Sequence, residues 1–219
     1  MIRSLLSLLL LLPMLLSCVT QERVQRVELI AHAGGEIDGY VYTNSLEALQ
    51  QAASRGYRFI ELDLLLASDS VLVAAHSWED FNKMTGNSHW GDSVLSSADF
   101  ARQRIHGRYT PLTAPMIEEF FLENEGLYLV TDKISSPALL SKAFPRLKER
   151  MVVEAFSYPH YEQLCDEGYY RVLYSCMAPD LSSALVKNLL FDRLFHFADD
   201  HIHAADLKTC QLFYFVFNC

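Results

Sequence analysis

The sequence predicts an α/β fold built on a largely parallel, buried sheet. Two observations carry that prediction. From residue 27 onward, short apolar runs alternate with segments of helical periodicity. Runs such as "VLVAA" and "LYLV" are apolar without alternation, as strands covered on both faces must be. An open doubly wound sheet and a closed (β/α) barrel both fit this pattern. A third observation weighs against the dinucleotide-binding form. Gly34-Gly35 does not extend to Gly-x-Gly-x-x-Gly, and no P-loop pattern is present.

Each element has its own signature. "VELIAH" (residues 27–32) reads as a strand. "TNSLEALQQAASRG" reads as a helix. Thr43, Asn44 or Ser45 can cap it, Leu46, Leu49, Ala52 and Ala53 recur at helical spacing, and Gly56 ends it. "YRFIELDLLLA" is the next strand, "SDS" a turn, and "VLVAAH" a further strand. Residues 77–115 are less regular, with Gly86, Gly91, Gly107, Pro111 and Pro115 and one short helix at "SSADFARQRI". "PMIEEFFLENEG" is a helix and "LYLVTDK" a strand. "SPALLSKAFPRLKER" is helical, and Pro145 should kink or divide it. "MVVEAFS" is a strand, "YPHYEQLCDEG" a helix and "YYRVLYSCM" a strand. A helical stretch over residues 180–207 and a last strand, "QLFYFVF", complete the order.

The N-terminus stands apart from this domain. "MIRSLLSLLLLLPMLLSC" has one basic residue, an apolar run and a small residue before Cys18. That is the pattern of a secretory signal peptide, residues 1–17. The apolar run is shorter than the roughly 20 residues of a comfortable membrane span. "LLSC" resembles the lipobox of bacterial lipoproteins. The resemblance implies that Cys18 is lipidated and tethers the protein to a membrane of the bacterial cell envelope. Residues 18–26 are then a tether, and residues 27–219 one globular domain. The 219-residue chain is 51% apolar and carries a formal net charge of −9, which argues against a nucleic-acid partner. Cys165, Cys176, Cys210 and Cys219 allow three pairings and show no Cys-x-x-Cys metal spacing.

"RFIELDLLL" raises the chemical question. Alternation places Phe59, Glu61 and Asp63 on one face of the strand and Ile60, Leu62 and Leu64 on the other. Helices would cover the second face, so the first must accommodate two carboxylates. A buried carboxylate needs a counter-ion, and two side by side suit a hard divalent cation, Mg²⁺ or Ca²⁺. Pairing with Lys or Arg at a strand end would also serve. His32, His76 and Lys133 each close an apolar run, and in parallel α/β folds the carboxyl ends of strands carry the active site. Two histidines supply acid and base near neutral pH, and a lysine supplies a positive point charge for a phosphoryl oxygen. Tyr40, Tyr42, Trp78, Phe81 and Trp90 follow strand ends and either line a substrate mouth or pack internally. Asn44 either caps its helix or touches phosphate. The cluster in "HFADDHIHAAD" reads as a solvated helix face.

The segment "IAHAGGEIDGYVYTNSLEALQQAASRGYRFIELDLLLASDSVLVAAHSWEDF" resembles the N-terminal half of the glycerophosphodiester phosphodiesterase family. That family belongs to the phosphatidylinositol-phospholipase-C-like phosphodiesterases, which are TIM barrels. The resemblance implies a TIM-type barrel and hydrolysis of a phosphodiester or lipid-headgroup substrate, in lipid metabolism. It implies acid/base roles for His32 and His76, metal ligation by Glu61 and Asp63, and charge stabilisation by Lys133. The chain departs from the family pattern at Ala33, where an arginine is usual, and at Thr43, where a glutamate ligand is usual. It departs again at Thr131-Asp132-Lys133, where Glu-x-Lys is usual. Alternation sets Thr131 in phase with Lys133 and Asp132 out of phase, so Asp132 is a third ligand only if the strand end twists; Glu154 is the fallback. Barrels of this type take about 250 residues, so the last helix and strand are expected to be missing here. The departures also admit another reading, a non-catalytic lipoprotein holding a phosphorylated ligand or glycan on a degraded site.

Overall fold

The computed structural model describes residues 29–175 and 214–218. The signal peptide, Cys18, the tether, the 180–207 stretch and its histidine-aspartate cluster lie outside the described residues. Strands β1 (Ile30–Ala31), β2 (Phe59–Leu66), β4 (Tyr128–Asp132), β5 (Met151–Ala155) and β6 (Arg171–Ser175) pair in parallel, in that order. Helices α1 (Leu46–Ser54), α4 (Ala114–Glu123), α5 (Pro137–Ala143) and α6 (Tyr158–Asp166) lie between successive strands in the chain. That is the β/α order of a TIM-type barrel, present in part.

Local chemistry sets the element ends. Ser45 caps α1, its Oγ accepting from the Ala48 N–H at 3.3 Å. Pro145 stops the helical stretch as expected. α5 ends at Ala143, and a 3₁₀ turn at Lys148–Arg150 leads into β5. Gly34 takes φ +82°, and a Cβ there would lie 3.1 Å from Leu49 Cδ1, so a glycine lets the β1–α1 link pack against α1.

Three features differ from the sequence expectation. β3 (Leu72–Ala74) runs antiparallel to β2, with Leu64 opposite Ala74. The link is a tight turn closed by Ala67 N–H to Val71 O at 2.9 Å, with Ser70 at φ +64°. A link that short makes a hairpin, because a parallel crossover needs a dozen or more residues. β7 (Tyr214–Asn218) is also antiparallel, to β6. The irregular region holds a second short helix, α2 (Trp78–Met84), before the expected α3 (Ser97–Arg102). Ser77 caps α2 by accepting from the Asp80 N–H at 3.0 Å.

The sheet has two differently furnished faces. Ile60, Leu62, Leu64, Leu129, Met151, Val153 and Val172 pack outward against buried helix residues such as Leu49, Ile117, Phe121, Leu140 and Leu164. Burying a side chain of this size is worth roughly 1.5–3 kcal/mol, so this layer dominates stability. The inward face holds a smaller apolar cluster of Phe59, Val130, Val152 and Leu173. A third cluster beneath the β2–β3 hairpin gathers Val73, Phe81, Phe100, Ile105 and Tyr109.

Candidate active site

Glu61 and Asp63 lie on the inward face of β2, at 5% and 1% exposure. The parallel register sets Asp63 opposite Asp132 of β4. Asp132 therefore lies in phase with Glu61 and Asp63, which corrects the phase assigned from sequence. The cause is Lys133, which lies beyond the strand end at φ +67°. Alternation counted back from that residue fails, because it has left the pleat. Thr131, not Asp132, is on the outward face, where its buried Oγ1 has no hydrogen-bond partner. One oxygen from each of Glu61, Asp63 and Asp132 lies within 4.8 Å of the other two.

The donors around these acids are unevenly shared. Glu61 Oε2 accepts from the Ala33 backbone N–H at 2.6 Å, whereas its buried Oε1 has no partner. Asp63 is held from both sides. Asn44 donates Nδ2 to Asp63 Oδ2 at 3.0 Å, and Asn44 Oδ1 accepts from the Asp63 backbone N–H at 3.1 Å. Asn44, fully buried at φ +48°, is thus committed to Asp63 rather than to capping α1. Lys133 Nζ lies 3.2 Å from Asp63 Oδ1 and 4.0 Å from Asp132 Oδ2. Burial first, then the charge of Asp63, holds the Glu61 carboxyl well above the usual carboxylate range. Asp132 and the buried Glu154 push the same way, against the Ala33 N–H, which favours the anion.

This cluster fits a divalent cation. Three carboxylates converge, a buried oxygen lacks a donor, and one lysine balances a fraction of the charge. Hard oxygen donors of this kind suit a hard divalent cation.

The two histidines stand at its rim. His32 begins a 3₁₀ turn at the end of β1, and its Nε2 is 3.8 Å from Glu61 Oε2, too far for a hydrogen bond. His76 arrives by the antiparallel β3, not at the end of a parallel strand. The hairpin folds back so that the Ala75 N–H bonds Asp63 O at 2.9 Å, which brings His76 to the level of the acids. Tyr42 lies between the imidazoles, its ring centre 5.0 Å from each. Trp78 packs edge-on to Phe81 and Phe100 under the hairpin. One contact was missed in the sequence. Asp80 Oδ2 lies 2.9 Å from His76 Nδ1 and accepts from Ser77 Oγ at 2.6 Å. The Ser-x-x-Asp spacing directly after His76, a helix-start signature, was the available signal.

Residues 33–157 match the model of the glycerophosphoryl diester phosphodiesterase family. The chain belongs to this family. Solved structures of similar fold include a glycerophosphoryl diester phosphodiesterase from Parabacteroides distasonis, 21% identical over 68% of this chain and 54% of that one, with a TM-score of 0.50. A proposed member from Agrobacterium tumefaciens is 14% identical over 78% and 72%, with a TM-score of 0.55. The glycerophosphoryl diester phosphodiesterase domain of a Mycobacterium tuberculosis protein is 13% identical over 88% and 79%, with a TM-score of 0.53. At these identities the likeness carries the TIM-type fold. The chain spans about half the length of the first of these relatives. No curated protein matches the sequence. Thr43 turns its hydroxyl to Ser45 Oγ at 3.0 Å.

Proposed function

We propose that the protein is a phosphoric diester hydrolase acting on a glycerophosphodiester-like substrate derived from phospholipid. The observation that carries this reading is the gathering of two imidazoles and an ammonium around three carboxylates, one of which has an orphaned oxygen. Glu61, Asp63 and Asp132 would hold Ca²⁺ or Mg²⁺, which when bound neutralises charge on the phosphoryl oxygens. Lys133 adds a positive charge beside Asp63 for the same oxygens. One histidine takes the proton from the attacking hydroxyl as the new P–O bond forms. The other gives a proton to the departing alkoxide as the ester P–O bond breaks. The products are an alcohol and a phosphomonoester. Water is the attacking hydroxyl in the direct route. Where the substrate's own hydroxyl attacks, water afterwards opens the cyclic phosphate, forming one P–O bond as a ring P–O bond breaks. Asn44 acts by fixing Asp63, and Tyr42 walls the space between the imidazoles.

The test is turnover of glycerophosphocholine and bis(p-nitrophenyl) phosphate with Ca²⁺, Mg²⁺ or chelator. Chelator should abolish turnover, and His32→Ala should lower it by about 10²–10⁴-fold. A folded protein that binds glycerol phosphate and turns nothing over would instead support the non-catalytic reading, which Ala33 and Thr43 favour.

We also propose export and a lipid anchor on Cys18. The signal-peptide pattern supports this, as does Cys165, which is disulfide-bonded. Cys18→Ser should move the protein out of the membrane fraction; persistence there would refute the anchor.

A further inference from the structure

We propose that Asp80 is a positioning residue for His76, fixing the proton on Nδ1 so that Nε2 is the nitrogen that accepts a proton from the attacking hydroxyl. The proposal rests on the phosphodiesterase reading and assigns the two histidines different roles.

The argument begins with the backbone. The Ala75 N–H bond to Asp63 O anchors the chain one residue before His76, and Ser77 starts α2 one residue after it. His76 is therefore held between a strand end and a helix start. Asp80, four residues on, lies one helical turn above it, with Oδ2 2.9 Å from Nδ1. An ionised carboxylate only accepts hydrogen bonds, so the Nδ1 side must donate. In the neutral ring the proton is then on Nδ1 and the lone pair on Nε2. The carboxylate is kept ionised. The Ser77 hydroxyl first, then His76, holds the Asp80 carboxyl below its ordinary value. Tyr42 faces His76 from the other side, at 59° between ring planes. The remaining charges on α2, Glu79 and Lys83, pair with each other at 2.7 Å.

Asp80 is also the third residue of a capped helix, and capping alone would be a sufficient duty for it. In a capping box, however, the third residue's carboxylate returns to the backbone N–H of the cap. Here Oδ2 takes the Ser77 hydroxyl and His76 Nδ1 instead. His32 has no equivalent, since its nearest carboxylate oxygen among the described residues is 3.8 Å from Nε2. The asymmetry makes His76 the acceptor and His32 the donor. His76 Nε2 takes the hydroxyl proton as oxygen bonds to phosphorus. Asp80 stabilises the resulting imidazolium, and His32 protonates the alkoxide released from phosphorus.

The experiment compares Asp80→Asn with Ser77→Ala in the full chain, by kinetics and by ¹⁵N NMR of His76. Asp80→Asn should lower kcat about 10–100-fold with KM within about twofold. It should also shift the ¹⁵N signature of His76 away from that of the Nδ1-protonated ring. Ser77→Ala should cost thermal stability and leave that signature nearly in place. Asp80→Glu should recover part of kcat. An Nε2-protonated tautomer of His76 in the unmodified protein overturns the proposal. So does an Asp80→Asn variant whose activity falls only with its folded fraction. If the unmodified protein turns over no phosphodiester, the phosphodiesterase reading fails, and with it the proton-accepting role. The NMR tautomer then still decides whether Asp80 fixes the ring.

Discussion

The inward face of the sheet changes character along its strands. Toward the amino-terminal end, Phe59 stacks on Tyr128 at 5.0 Å and 23°, with Val130 and Val152 above them. The Arg58 and Arg171 guanidiniums lie over Tyr128, 5.9 and 4.9 Å from its ring centre. Toward the carboxyl end, the same strands present Glu61, Asp63, Asp132 and Glu154, with Lys133 among them. Backbone register is continuous across both ends. The first end satisfies itself with packing and cation–π contacts. The second leaves a buried oxygen unpaired and holds a carboxyl far from its ordinary titration. In this architecture the amino end is where stability is built and the carboxyl end where chemistry is done. The difference teaches that the acids are tolerated at a cost to the metal-free fold, which a ligand would remove.

The sharpest way to break that contrast is to strike the apolar end. Phe59→Ala should destabilise the fold by about 3–5 kcal/mol, the usual cost of emptying a buried aromatic site. Urea unfolding measures it. The stabilisation added by Ca²⁺ or Mg²⁺ should stay the same in this variant. If that increment vanished as well, the two ends would be one cooperative unit and the comparison would fail.

The opposite change at the acidic end should have the opposite sign. Glu61→Gln keeps an acceptor for the Ala33 N–H and removes a charge that burial and Asp63 disfavour. Without metal, the variant should be more stable by about 1–2 kcal/mol at neutral pH. It should also lose most of the cation-dependent rise in Tm. Thermal unfolding with and without chelator reads both. A destabilised variant would mean that Glu61 is an ordinary satisfied core residue.

How much of this was legible follows the range of the interactions. His32, Glu61, Asp63, His76 and Lys133 could be read because strand alternation and strand ends are local properties. The outward apolar face was legible for the same reason. Asn44 was singled out as a cap or a phosphate contact, but its bond to Asp63 was not legible, since that partner is 19 residues away and the bond exists only once β2 and α1 are placed. The phase of Asp132 was misread because one left-handed residue, Lys133, ends the pleat. The direction of β3 was missed although its turn was seen. The "SDS" turn is too short for a crossover, so the antiparallel pairing was implicit in the link length. Asp80 was overlooked because α2 has only seven residues, too few for a clear helical period.

A third carboxylate sharpens the comparison by showing what an acid with a full set of donors does. Asp69, in the exposed β2–β3 turn, accepts from Ser97 Oγ at 2.7 Å and from the Ser97 N–H at 3.2 Å, at the start of α3. Those bonds, the hydroxyl first, hold its carboxyl below the ordinary value. The sign is therefore opposite to that of Glu61. A lowered folded-state pKa gives stability that is present above the unfolded value and is lost as pH falls through the folded one. A raised pKa gives stability that is present at low pH and lost as pH rises. Asp69→Asn should thus lower Tm slightly at neutral pH. The gap from the unmodified protein should close on acidification below about pH 4, where both states of the aspartate take up protons. Thermal melts from pH 7 to pH 3 test this, and a gap that widens on acidification would show that Asp69 is unfavourable in the fold, as Glu61 is. Glu61 lies within β2 and Asp69 in the turn that follows it, and the donors waiting for each decide whether its charge helps the fold or awaits a ligand.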